Sequence, residues 1–472
     1  METPTAEGRT GLSLTITAGG TLLALFVFTA PLSIVPSVAD GLHAGPVATS
    51  WILSSMSLGL AMSLLSAGAI GDDFGRRRIF AWGAVVLAAG SAVSGLAPNS
   101  LTFVLGRVIE GIGAAAVIAC GLAVISHTFP PGPSRVRATG VWGACLGAGI
   151  AVGPLAGSIM DTAGNWRYTY AIITVLSIGL ALAGRIWLTE SHSGRARRID
   201  VAGSALLGAG LGCLLAALTE GRQGWTSPLE LTLIAGAVIL LAGFVAHQGK
   251  ASGAMLDLSL FGRPALISAT LGSFITGAGI TALMAFMSTM LERGMTYSTI
   301  MAPVLILAWS ATSVLSALLT RRIPPGVSGG MKMSAGLLVI SAGLIPLTTL
   351  TSGTSAWQVA GGLFVAGIGT GVVNATLGRE AVASVPPTLA GTGSGINNTS
   401  RYVGSALGVT VITIIAVRPS GDLVAGWNTA AVVCIALSVV GALVVYVFHR
   451  ADANRTSAGS VKAASVREGA AS

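Results

Sequence analysis

Fourteen apolar runs, each nineteen residues or longer, follow one another along this chain with only short polar connections between them. A hydrocarbon core about 30 Å thick takes roughly 20 apolar helical residues to cross, so this pattern constrains the fold more than any motif. The runs fall near 14–37, 47–70, 79–97, 101–127, 136–160, 166–188, 201–219, 229–247, 264–291, 298–320, 333–352, 357–378, 393–417 and 424–448. Connections such as Pro98-Asn99-Ser100 leave no room for a separate soluble domain.

Composition excludes the alternative of a water-soluble globule. Of 472 residues, 53% are apolar and 9% are charged, whereas a soluble domain carries about 25% charged residues to wet its surface. The 65 glycines show no collagen-like period; inside a bilayer, small residues let helix backbones approach closely, and packing drives association there. The four cysteines, Cys120, Cys145, Cys213 and Cys434, all lie within apolar runs and imply no disulfide framework.

The formal charge of +9 would point to nucleic acid in a soluble protein. Here the basic residues sit in short loops, which fits anionic headgroups instead, and no nucleic-acid partner is expected. With the N-terminus inside, the inner segments hold nineteen of the 26 Lys and Arg. Among them are Arg76, Arg77 and Arg78; Arg135 and Arg137; Arg195, Arg197 and Arg198; and Arg321 and Arg322. The outer loops hold only Arg222, Arg293 and Arg418. Basic residues stay on the cytoplasmic side, so a multi-pass protein of the inner or plasma membrane, both termini cytoplasmic, is predicted. No cleavable signal peptide is expected.

The spacing permits six helices, two extra, then six more. That gives a cytoplasmic N-terminus at 1–13, a first bundle at 14–188, a linker with two extra spans at 189–250, a second bundle at 251–448 and a disordered tail at 449–472. Gly149-x-x-x-Gly153 in the fifth run is echoed by Gly404-x-x-x-Gly408 in the thirteenth. Repeated halves with a site at their interface are a common plan of secondary transporters.

Three segments carry chemistry. At the inner end of the second run stand Gly68, Asp72, Gly75, Arg76, Arg77 and Arg78. Gly68 permits close helix contact, Asp72 can accept from a neighbouring helix N-terminus, Gly75 allows a tight turn, and the arginines suit headgroups or a loop carboxylate. In the fourth run Arg107 and Glu110 lie three residues apart, share a face and can neutralise each other. Charges at membrane depth are costly and face a cavity or a partner, so the pair is either a proton-titrating couple or a structural ion pair. In the fifth run Gly149, Gly153 and Gly157 make a flat packing face, and Pro154 removes a backbone donor. Met284 and Met287 offer a forgiving apolar wall for varied ligands or simply pack; Asn397 and Arg401 complete the substrate-cavity candidates.

These segments resemble signatures of the major facilitator superfamily. Gly68, Asp72, Gly75 and Arg76 match its loop pattern G-x-L-A-D-R-x-G-R-K, with Asp73 where Arg is usual. Arg107 to Ala115 is similar to its fourth-helix pattern, with Glu110 where Gln is usual; the resemblance implies proton transfer at the Arg. The fifth-run glycines and Pro154 resemble the exporter signature that symporters lack, altered only at Ser158. Ile199-Asp200-x-x-Gly203, Glu220-Gly221-x-x-Gly224-Trp225 and Gly395 to Gly408 look like landmarks of the fourteen-helix drug:proton antiporter branch. Where that branch often carries a first-helix Asp, this chain has Val27.

The expectation is therefore an all-α polytopic fold with fourteen transmembrane helices, exporting a small amphipathic molecule in exchange for protons as a monomer. Drug or antibiotic efflux comes first; export of an endogenous metabolite or self-made antibiotic, and then nutrient symport, are the alternatives. No enzyme, cofactor or metal is expected. There is no H-E-x-x-H, and the glycine clusters at Gly367–Gly371 and Gly391–Gly395 lack a βαβ context and a Walker Lys.

Overall fold

Prolines and glycines punctuate the apolar runs, and helices begin and end at them. A computed structural model describes residues 6–192, 200–221, 227–251, 254–298, 301–324, 326–416 and 422–469. Five helices open with Pro in their first turn, where its missing N–H costs nothing. The order is α1 (Ala6–Thr29), α2 (Pro31–Gly41), α3 (Pro46–Phe74), α4 (Arg76–Gly95), α5 (Ser100–Thr128), α6 (Pro133–Thr162), α7 (Arg167–Trp187) and α8 (Val201–Glu220). Then come α9 (Pro228–Lys250), α10 (Pro264–Thr276), α11 (Ala282–Thr289), α12 (Met301–Leu319), α13 (Gly329–Leu344), α14 (Ala356–Ala383), α15 (Ala390–Ala416) and α16 (Leu423–Gly469). Fourteen of the resulting helical segments, counting α10 and α11 as one, are long and apolar enough to cross a bilayer. The fold is all-helical, and the protein is a multi-pass membrane protein.

Three boundaries differ from the sequence reading. The first run, expected to be one helix over 14–37, is split into α1 and α2 at Ala30, because Pro31 cannot donate to the turn before it. The ninth run is interrupted by π-helical turns at Gly277–Thr281 and Met290–Gly294. The last helix continues through Gly469, so the backbone is helical over 449–469, inside the stretch 449–472 expected to be disordered; that stretch has no Pro and is rich in Ala, the best helix former. Arg195, Arg197, Arg198, Ile199, Arg222, Gly224, Trp225 and Arg418 lie outside the described residues.

Apolar side chains gather into two main cores. One draws chiefly on α1 to α7, with Val27, Met56, Phe103, Trp142 and Tyr170 at its heart. The other draws on α10 to α16 around Met287, Trp309, Leu363 and Trp427. α8 and α9 pair with each other, and α8 lies against α3 and α15. Trp51 Nε1 of α3 donates to Glu220 Oε1 at the end of α8 at 2.6 Å, and Thr410 Oγ1 of α15 donates to Leu218 O at 3.1 Å.

The two cores meet along few seams, chiefly α3 on α15 and α6 on α12 and α14. The α6 seam is built from small residues: a Cβ on Gly143 would sit 3.0 Å from Ala375 Cα, and one on Gly140 would sit 3.0 Å from Ala317 O. These contacts lie toward the end of the molecule that carries Asp72 and Arg76.

Candidate functional site

The most buried span is α5, and it carries Arg107 and Glu110 on one face. Arg107 Nη1 donates to Glu110 Oε2 at 2.6 Å. The two side chains are 1% and 0% exposed, so the pair lies fully inside the protein. The same Nη1 donates to Val27 O at 2.9 Å, and Nη2 reaches Phe28 O at 3.4 Å. The reason lies in α1. Pro31 has no N–H to give Val27 O, four residues earlier, and the guanidinium supplies the missing donor.

The site is not fully satisfied. Glu110 Oε1 is not held by Arg107, and Arg107 Nε and the Tyr170 hydroxyl have no hydrogen-bond partner among the described residues. Ser91 and Ser94 of α4 flank the carboxylate. Backbone contact is close there, since a Cβ on Gly90 would meet Gly106 O at 2.8 Å. Buried polar atoms without partners are rare and mark functional or hydrated places. Chemically, Oε1 can take a proton while Oε2 still accepts from Arg107.

A second polar cluster joins α3 to α15. Asp72, 1% exposed, takes Arg76 Nε and Nη2 at 2.9 and 2.8 Å on Oδ1. Gly391 N donates to the same oxygen at 2.9 Å, and Thr392 gives its N–H and hydroxyl to Oδ2 at 2.8 and 3.1 Å. These are the orphan donors of the first turn of α15, a natural anion site. Arg76 Nη2 also caps Pro387 O at 3.1 Å. Gly68 packs its backbone onto that of Gly391, leaving no space for a side chain. Gly75 adopts φ +114°, a region that favours glycine, and turns the chain so that Arg77 N meets Glu190 Oε1 at 3.1 Å. Glu190 is the loop carboxylate that the arginines were expected to find; its position after α7 gave no motif by which to name it.

The glycine face of α6 lies on α1 and α2. A Cβ on Gly149 would meet Leu25 Cβ at 2.8 Å, one on Gly153 would meet Phe26 O at 2.9 Å, and one on Gly157 would meet Ala30 O at 2.7 Å. Thr29 Oγ1 donates to Gly149 O at 3.3 Å and Ser33 Oγ to Pro154 O at 2.7 Å. Thus α6 grips the broken helix whose freed carbonyl Arg107 holds. Sequence reasoning identified both ends of this linkage but not Pro31 as the joint between them.

The substrate-cavity candidates lie on α11 and α15, which pack against each other. Met284 and Met287 pack into the second core. Asn397 is spent on helix pairing, accepting from Ser273 Oγ at 3.0 Å and donating to Ala269 O at 3.1 Å. Arg401, 6% exposed, leaves Nε and Nη2 without acceptors. No group of metal-ligating side chains occurs among the described residues.

The sequence model of the Major Facilitator Superfamily matches residues 17–409. A multidrug resistance protein Stp of Mycobacterium tuberculosis is 28% identical over 424 residues, covering 89% of this chain and 77% of the relative. A probable actinorhodin transporter of Streptomyces coelicolor is 29% identical over 422 residues, covering 87% and 73%. Among solved structures, the human organic anion transporter MFSD10 (TETRAN) superposes with a TM-score of 0.67 at 17% identity, over 91% of this chain and 99% of that one; the likeness is one of fold. With its helices, its inter-helix Asp72 cluster and a family match over most of its length, the chain belongs to the major facilitator superfamily, whose members are membrane transporters.

Proposed function

We propose that this protein is a proton-coupled exporter of small amphipathic molecules, drugs and antibiotics foremost, working as a monomer with both termini in the cytoplasm. The names of its relatives support the substrate class, and the excess of basic residues in the inner loops supports the orientation. The observation that carries the coupling is the buried Arg107–Glu110 pair, in which Arg107 holds one carboxylate oxygen and Ser91 and Ser94 stand beside the carboxylate.

When Glu110 takes a proton on Oε1, Arg107 loses its counter-charge and keeps only neutral acceptors, Oε2 and the α1 carbonyls. Leaving a buried charge without its counter-charge costs about 3–5 kcal/mol, enough to move a two-state equilibrium by roughly a hundredfold or more. Because Arg107 holds α1 at its break and α6 holds α1 by its glycine face, that change is delivered to the seam between the two cores. The Asp72 cluster closes one end of that seam in this arrangement.

Drug-induced proton release from purified, reconstituted protein tests the reading. Glu110→Gln is expected to abolish proton exchange and spare substrate binding, whereas Arg107→Ala impairs both. A Gln variant that exchanges protons at the wild-type ratio removes Glu110 from the role. A sensitivity panel in an efflux-deficient host, with and without an uncoupler, separates broad drug efflux from export of a single self-made compound, the reading favoured by the relative named for one antibiotic.

A further inference from the structure

Away from the helix seams, α4 and α7 leave between them a furrow of about 450 Å³, lined by Arg78, Trp82 and Val85 of α4 and by Ala181, Leu182 and Arg185 of α7. The arginines stand at one end, in the turns where α4 begins and α7 finishes. Apolar side chains extend the furrow from there toward the middle of the helices. Arg78, Trp82 and Val85 are spaced four and three residues apart, so they form one stripe about 10 Å long. Among the described residues nothing covers it: Arg78 is 69% exposed and Trp82 66%.

The charged residues lining the furrow are both cations, Arg78 and Arg185. Arg78 Nε lies 3.6 Å from Glu190 Oε2, and Arg77 Nε approaches the same oxygen at 3.6 Å, so one carboxylate serves two guanidinium groups. Arg185 enters no ion pair among the described residues. Two cations at a membrane interface, an indole one turn deeper, and an apolar track beyond it match the parts of one molecule in order: phosphodiester, glycerol region, acyl chain.

We propose that this furrow is the site of a resident anionic phospholipid, its phosphate between Arg78 and Arg185 and one acyl chain along Trp82, Val85 and Leu182. A lipid whose headgroup carries its own ammonium presents no net charge to the two arginines and is bound less well. Occupancy draws Arg78 away from Glu190 and leaves that carboxylate to Arg77 and to the turn at Gly75.

The test uses the full chain in nanodiscs of equal parts phosphatidylglycerol and phosphatidylcholine, with the tails of one or the other brominated. Bromine quenches nearby tryptophan, and the difference between wild type and Trp82→Phe isolates the signal from the furrow. Each basic side chain facing an anionic headgroup is worth about a fivefold preference, so two give roughly thirtyfold for phosphatidylglycerol. The double variant Arg78→Gln, Arg185→Gln is expected to bring that preference near parity, while Arg322→Gln, in another loop, leaves it unchanged. In native mass spectrometry the same lipid stays on the monomer of the wild type and is lost from the double variant. Equal quenching by both lipids in the wild type, a preference that survives the double substitution, or a lipid-free dimer occupying this face overturns the proposal.

Discussion

Asp72→Asn isolates what the α3–α15 cluster does. The carboxylate takes two donors from Arg76 and three from Gly391 and Thr392. The Arg76 contacts are local, four residues apart, and persist whether or not the two cores touch. Those to Gly391 and Thr392 exist only while the seam is closed. Hydrogen bonds to a charged group are worth about 1.5–3 kcal/mol each, and Asn keeps one acceptor oxygen of two. We therefore expect the closed arrangement to lose about 2–3 kcal/mol relative to the open one, or roughly 30- to 150-fold in the equilibrium. The reporter is a single cysteine, Ala375→Cys, in a background whose four native cysteines are replaced. Ala375 is 5% exposed and packs against Gly143 across the seam. While the closed state dominates, the labelling rate scales with the open population, so it should rise by that factor. A rate within threefold of the parent, in a variant of unchanged melting temperature, would refute the view that Asp72 distinguishes the two states.

Gly153→Leu should insert and fold into the membrane yet abolish transport, because its side chain would strike Phe26 O and the Thr29 hydroxyl; transport at the wild-type rate would show that α6 need not grip α1. Cysteines placed at Asn99 and Gly353 should react with impermeant maleimide in intact cells, and one at Arg322 should not; the reverse pattern inverts the orientation. Burial pushes the Asp200 carboxyl up, but hydrogen bonds from Gly203 N–H, Gln248, His247 and Met255 N–H outweigh it and hold the group below its ordinary 3.8. Its stabilisation is thus complete above that pH and is lost as pH falls through the lowered value. Asp200→Asn should accordingly cost about 1–2 kcal/mol at pH 7, with the gap in thermal melts closing in strong acid.

How far the sequence led depended on the kind of signal. Span number was legible because bilayer thickness imposes a length on every helix. The Arg107–Glu110 pair was legible because its partners lie on one helix, three residues apart. Asp72 could be assigned a helix N-terminus as its partner, but not which one, since Gly391 lies 319 residues downstream and no local pattern encodes that distance. Val27 read as a missing acid. Its backbone, not its side chain, meets Arg107, and only the proline four residues on hints at that. Met284 and Met287 show the converse: periodicity marks an apolar face but does not say whether it meets ligand or core.

The π-helical turn at Gly277–Thr281 holds one residue more than an α-helical turn in the same length. If that surplus is released, everything beyond it advances by about 1.5 Å and rotates by roughly 100°. Met284 and Met287, now pointing into the second core, would then swing to a different face without any hinge bending. Gly277 also presses on Arg401 O and Ser405 N of α15, so the neighbouring helix would feel the turn. This span is in effect a screw with a spare thread, and its length is a variable of the machine rather than a constant.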